Sequence, residues 1–339
     1  MMKVILFGGS FNPPHLGHLK LALKSLKFLN ATELWFIPSL KSPLKEIELV
    51  DFEHRCSMIE LLIKPYKKLK ISRIEAELDE VSYTFNTIKA LRERYNNVDF
   101  IWLMGSDQAN QFEKWYKSDE LLKSIKFAVY LRNIDDLIKP PFISIHTDTI
   151  YANSSQRIRE GLVHLTHPNV LKYMMDNELY VEEIAKSMMS LKRFKHTINV
   201  CELALSLASA HDVNLHQVYL AALFHDCTKE WAMNKSEAWL NFINSEYIQE
   251  NQALWHQKVG AIFVKRYLNI QDKVIINAIA YHVHGSNHIV SKIVYIADKC
   301  ERTRKYDSSE YINLAMIDID KAYIKVKNTQ VKWLENERN

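Results

Sequence analysis

The chain has 339 residues and a net charge of +4, from 44 lysines and arginines against 40 aspartates and glutamates. That length exceeds the ~250–300 residues at which one core stops growing, so two domains are expected, and the mild, evenly spread charge does not argue for nucleic-acid binding. No apolar run approaches the ~18 residues of a membrane span, and Cys56, Cys201, Cys227 and Cys300 lie too far apart for a disulfide framework. With one lysine and four apolar residues before Gly8 there is no secretory signal, and the expected location is cytoplasmic, with no membrane partner.

Val4 to Phe7 suits a buried strand that runs into Gly8-Gly9-Ser10-Phe11, a Pro13-Pro14 pair and a helical pattern on Leu16, Leu19 and Leu23. The chain holds only seven glycines, and Gly8, Gly9 and Gly17 all fall here. Glycines after a buried strand let backbone N–H groups approach an anion, and the following helix start adds its own donors, so this stretch is expected to hold a polyphosphate. His15 and His18, three apart, would donate to a phosphorus centre gaining charge. No Gly-Lys-Ser/Thr and no Gly-x-Gly-x-x-Gly is present.

Glu33 to Pro38 reads as a second strand, Phe52 to Ile63 as a helix, and Phe100 to Met104 and Phe127 to Leu131 as further strands. Such alternation predicts a doubly wound parallel α/β sheet, in which ligands collect beyond the carboxyl ends of the strands. Gly105-Ser106-Asp107 and the stretch Asn153 to Arg159 therefore join the opening loop. Ser154 and Ser155 read as helix caps with Arg159 one turn on, a pattern that an ordinary capped surface helix shares.

The run Gly9 to His18 resembles the signature of bacterial nicotinate-mononucleotide adenylyltransferases, within the nucleotidyltransferase superfamily. The resemblance extends through Trp35 to Ser39, Arg55 to Met58, Ser82-Tyr83-Thr84, Gly105-Ser106-Asp107, Trp115 and Tyr173 to Tyr180. It implies an adenylyltransferase domain over about residues 2 to 180 (1–182 as drawn) that makes nicotinate adenine dinucleotide from ATP and nicotinate mononucleotide, with Mg²⁺ carried largely by the phosphates. By the same resemblance His15, His18 and Arg159 would act on the ATP phosphates, Gly8, Gly9, Ser10, Phe11, Gly105, Asp107, Ser154 and Ser155 would line the nucleotide site, and Thr84, Trp115 and Tyr116 would frame the nicotinate ring. The chain departs from the family pattern at Leu44, Asn86, Asn153 and Gln156. Another phosphorylated acceptor, such as pantetheine phosphate, is the rival substrate.

Beyond Tyr180 the strand-helix alternation ends, no Pro or Gly occurs between Pro168 and Gly260, and eight of the fourteen histidines lie between His196 and His288. An all-α domain over 186–339 is expected. His196, His256 and His282 each share the apolar stripe of a helix, where a satisfied core histidine is the commoner role. With His225-Asp226 and Asp298 they make six inward polar groups, which a metal site explains together. Mixed imidazole and carboxylate donors suit iron or manganese, and six ligands suit two ions ~3.5–4 Å apart bridged by Asp226. Lys229 and Arg302 are candidates for phosphate contact or simply solvated cations, while His211, His216 and His288 have no assigned role and His284 is undecided.

The order of these residues resembles the HD phosphohydrolase superfamily, and Arg193 to His196, Leu223 to Lys229, Leu254 to His256, Tyr281-His282 and Ile296 to Asp298 resemble its YqeK-type branch. That branch implies symmetrical hydrolysis of a dinucleoside polyphosphate, diadenosine tetraphosphate, to two ADP, with Asp226 and Lys229 catalytic. The chain departs from it at Gln257-Lys258 and His284. A metal-binding regulatory or docking module without turnover is the alternative. Tyr311 to Leu334 is expected to form one closing helix.

Overall fold

A computed structural model of the protein describes residues 2–41, 49–78, 83–131, 138, 141–145 and 154–336. Leu44, Ser82 and Asn153 lie outside the described residues. The described chain divides into two compact units, one comprising 1–158 and 164–173, the other 159–163 and 174–339.

In the first unit the elements run β1 (Met2–Gly9), α1 (Leu16–Phe28), β2 (Glu33–Pro38), α2 (Phe52–Ile63), β3 (Leu69–Ile71), α3 (Thr84–Arg94), β4 (Val98–Gly105), α4 (Ser106–Ala109), α5 (Ser118–Ser124), β5 (Lys126–Tyr130), β6 (Ile143–Ile145) and α6 (Ser155–Arg159), with α7 (Pro168–Asp176) at its end. The six strands are parallel in the order β3-β2-β1-β4-β5-β6. Val4, Ile5, Leu6 and Phe7 are all buried because helices cover both faces, which is why β1 reads as a continuous apolar run. Strand order reverses between β1 and β4, and the doubly wound fold therefore opens its ligand crevice beyond Gly9 and Gly105.

A Cβ on Gly8 would lie 2.3 Å from Cζ2 of Trp102 on the adjacent β4, so a larger residue there forces the indole or the strand to shift.

The second unit is helical: α8 (Val181–Ser187), α9 (Leu191–Ala210), α10 (Leu215–Phe224), α11 (Met233–Ile243), α12 (Trp255–Arg266), α13 (Lys273–Ala280), α14 (Ile289–Cys300), α15 (Ser309–Ile317) and α16 (Ile319–Asn336). Side-chain caps from Ser190, Asn214 and Asp272 start α9, α10 and α13. Helix α10 buries Val218 and Leu220 through Phe224 against α9, α13 and α14, so the His225-Asp226 pair at its end is delivered into the core. The single closing helix expected over 311–334 is in fact two helices. Asp318 between them is extended (φ −144°, ψ 97°), and its carboxylate accepts the Lys321 N–H to start the second.

All four cysteines are buried and unpaired, and burial pushes the Cys56 thiol up to about 11 and Cys300 to about 12, so they are packing residues. Among the described residues no helix is long and apolar enough to cross a membrane.

Candidate active sites

In the first unit, His15 caps α1 in a reciprocal arrangement: its Nδ1 accepts the His18 N–H and His18 Nδ1 accepts the His15 N–H, both at 3.2 Å. The two rings stack with centroids 3.5 Å apart. A backbone N–H at each Nδ1 fixes the tautomer, so in the neutral rings Nε2 carries the proton. Phe11, at φ 47°, turns its buried ring to within 4.9 Å of the His18 ring and supports it from below.

The surrounding loops are held by a buried cation. Arg55 on α2, 1% exposed, donates to the carbonyls of Ser10, Ser39 and Val50 at 2.8–2.9 Å, joining the segments that follow β1 and β2 to the one that precedes α2. Asn12 Oδ1 adds a bond from Val50 N. Sequence reading placed Arg55 in a motif but gave it no task; its burial supplies one.

Gly105 ends β4 beside β1, followed by buried Ser106 and exposed Asp107. Ser154 Oγ accepts the Arg157 N–H as a cap, whereas Ser155 lies inside α6 and its hydroxyl donates to Pro13 O at 2.7 Å, tying that helix to the opening loop. Arg159 belongs to the second unit, with its Nε 3.4 Å from Glu183. Thr84 begins α3; Tyr116 packs on Tyr83 and Phe85 on either side of it, and Trp115 leans on core Phe112.

In the second unit the six expected ligands converge as two triads, His196/His225/Asp298 and Asp226/His256/His282, the ligand atoms of each lying within 4.8 Å of one another. Asp226 turns Oδ1 to His256 and His282 Nε2, both at 3.3 Å, and Oδ2 to His225 Nε2 at 3.6 Å. His225 Nδ1 donates to Ala222 O and His282 Nδ1 to Ile279 O, while His196 Nδ1 meets Glu301 at 3.1 Å. Each of these rings is therefore oriented from behind with Nε2 inward, the outer-shell arrangement typical of metal-binding histidines.

Burial lowers the His225 pKa and takes His282 to about 4, so both rings stay neutral and present lone pairs inward. Burial opposes charge on Asp226 and Asp298, yet both carboxyls lie well below the usual range, Asp298 chiefly through the Lys299 ammonium. His225 Nε2 and Asp226 Oδ1 are buried without a hydrogen-bond partner. Lone pairs and anionic oxygens facing one another in a buried centre call for a cation, and the donor set fits a divalent metal in each triad.

Lys229 Nζ lies 3.0 Å from His256 Nε2 and 3.7 Å from Asp226, and burial lowers its pKa. Arg302 is not at the centre; it bonds Asn199 and faces Glu202 with a largely exposed side chain. The cations that do reach the carboxylates are Arg193 on Asp226 (2.9 Å) and Arg304 and Lys299 on Asp298 (2.8 and 2.6 Å). Buried Glu301, which orients His196 and Asn199, also escaped the sequence reading, although its place one turn after Asp298 was the available signal. His211, His216 and His288 each have a structural partner, in Ala315 O, Glu178 and the Val290 N–H.

Residues 6–161 match the cytidylyltransferase-like family and residues 193–303 the HD domain family. A Mycoplasma genitalium protein named "Probable nicotinate-nucleotide adenylyltransferase/Ap4A hydrolase" is 28% identical, over 98% of both chains. The Bacillus subtilis nicotinate-nucleotide adenylyltransferase is 35% identical over 53% of this chain and 99% of its own. The solved Plasmodium falciparum nicotinic acid mononucleotide adenylyltransferase is 22% identical, with a TM-score of 0.47, over 53% of this chain and 98% of its own.

Proposed function

From a chain that belongs to the nicotinate-nucleotide adenylyltransferase family and carries an HD domain after it, we propose a bifunctional nucleotide enzyme. The first unit joins nicotinate mononucleotide to the adenylyl group of ATP. A phosphate oxygen of the mononucleotide forms a bond to the α-phosphorus, the bond from that phosphorus to the bridging oxygen breaks, and pyrophosphate leaves. No covalent enzyme intermediate is needed, so catalysis reduces to alignment and stabilisation of the charge that develops. His15 and His18 donate from Nε2–H to that charge, and the reading rests on their locked tautomers at the strand-order reversal. Mg²⁺ travels with the ATP phosphates.

The second unit hydrolyses a dinucleoside polyphosphate, diadenosine tetraphosphate giving two ADP. Two divalent ions, iron or manganese, supply when bound a hydroxide at neutral pH and a polarised phosphoryl group. His196, His225 and Asp298 hold one and Asp226, His256 and His282 the other; Arg193 and Lys229 are placed for the phosphate oxygens. The convergence of two histidine and carboxylate triads on unpartnered buried atoms carries this reading.

Product chromatography tests it. Protein loaded with Mn²⁺ or Fe²⁺ is expected to turn diadenosine tetraphosphate into ADP alone, and a His225→Ala/Asp226→Ala variant to lose this while still forming nicotinate adenine dinucleotide. No cleavage with any metal would recast the helical unit as a binding module. Faster transfer to pantetheine phosphate than to nicotinate mononucleotide would overturn the first assignment.

A further inference from the structure

Two residues along α12 from His256 stands a cation for which no ion pair occurs among the described residues. Lys258, two residues past His256 on α12, is half-buried, and among the described residues its ammonium pairs with no carboxylate. It lies instead 4.9 Å from the ring centre of Tyr281 and 5.3 Å from that of Tyr247. Tyr281 immediately precedes the ligand His282 and is 41% exposed. Arg193, Lys229, Lys299 and Arg304 are each directed at Asp226 or Asp298, whereas Lys258 pairs with no carboxylate among the described residues.

The neighbouring residue fixes the geometry. Gln257 is fully buried and shares a 2.8 Å bond with His284 Nδ1, which joins the first turn of α12 to the turn after α13. Lys258 and Tyr281 are thereby held together, each within two residues of a metal ligand. The Gln257 Oε1 has no partner of its own. Gln257, Lys258 and His284 are the positions at which this chain departs from the YqeK-type pattern, and the first turn of α12 meets the 281–284 turn through Gln257–His284 and Lys258–Tyr281.

A positive charge flanked by tyrosine faces has the chemistry of a nucleotide subsite: the ring accepts a base by stacking and the ammonium accepts a phosphate. We propose that Lys258, Tyr281 and Tyr247 bind the nucleoside-phosphate end of the polyphosphate, the phosphate on Lys258 and the base on the exposed face of Tyr281. The subsite extends the reading of the helical unit as a nucleotide hydrolase, and makes it favour nucleoside-capped substrates over bare phosphoesters.

Site-resolved chemical modification of the Mn²⁺-loaded full chain, read by peptide mass spectrometry, tests the subsite independently of turnover. ADP should slow both acetylation of Lys258 and nitration of Tyr281; pyrophosphate should protect Lys258 alone, and adenosine Tyr281 alone. Equal modification with and without millimolar ADP at both residues overturns the proposal. In kinetics, Lys258→Met should raise KM for diadenosine tetraphosphate about tenfold, as expected for one lost charge-assisted contact, with the loss in KM rather than kcat. Its effect on bis(p-nitrophenyl) phosphate, which lacks a nucleoside, should be about tenfold smaller; equal effects on the two substrates would mean a general defect and also overturn it. If the wild-type protein cleaves neither substrate, the hydrolase reading fails, and the protection pattern still decides whether the subsite exists.

Discussion

Replacing Arg55 by methionine should loosen the nucleotide loops of the first unit and cost stability at once. The guanidinium is 1% exposed and donates three bonds of 2.8–2.9 Å to the carbonyls of Val50, Ser10 and Ser39. Methionine fills much of the space but leaves those carbonyls without that donor, at about 1–3 kcal/mol for each that water cannot reach. Part of the loss is offset, because a guanidinium no longer has to be desolvated. The balance is a destabilisation of about 4 kcal/mol, which for a unit of this size lowers its melting temperature by about 10 °C. Calorimetry measures it on the transition that ATP shifts upward. Adenylyl transfer at a permissive temperature should fall through kcat as well as KM, since Ser10 and Ser39 lie at the ends of β1 and β2, where the anion is expected. Arg55→Lys, able to reach fewer carbonyls, should sit between the two. A melting point within about 3 °C of wild type would refute the reasoning, for it would mean that the loops hold their shape without the guanidinium.

Gly8→Ala should destabilise the first unit by about 1–3 kcal/mol, since the added Cβ would meet the Trp102 indole at 2.3 Å, and chemical denaturation gives the value. In metal-free protein, His282 is held neutral with a pKa of about 4 against about 6.5 when unfolded. The unfolded chain therefore binds more protons, and stability of the second unit should decline as pH falls from 6.5 to 4, by about 3 kcal/mol at most. Melting curves over that range read it, and a flat profile counts against a His282 ring buried away from water. Saturating Mn²⁺ should raise the melting temperature of the second unit, and His282→Ala should abolish much of that rise; an equal rise in the variant would place the ion elsewhere.

Much of this is legible in the sequence alone. The alternation of short apolar runs with helical stripes marks a parallel sheet because strands covered on both faces are apolar throughout, as Val4 to Phe7 and Phe100 to Met104 are. The candidate metal ligands were legible because three histidines on apolar stripes are anomalous, and with His225, Asp226 and Asp298 they converge in space as two triads. Residues whose importance lies in burial rather than type were not. Arg55 and Glu301 look like ordinary surface charges in sequence, and only the fold encloses them. Arg302 and Arg304 differ by two residues, and the turn after α14 aims the second, not the first, at Asp298. The break at Asp318 was hidden because its flanking apolar residues continue at helical spacing.

The two oxygens of Asp226 face different triads, and this has a bearing on how the helical unit acquires metal. Because one oxygen faces His256 and His282 and the other faces His225, an ion held by either triad would have the same carboxylate to draw on. Filling one triad would then change the charge that Asp226 offers to the other, so two ions should load as linked events rather than as independent ones. A titration would then pass from empty to doubly filled protein with little of the singly loaded form between.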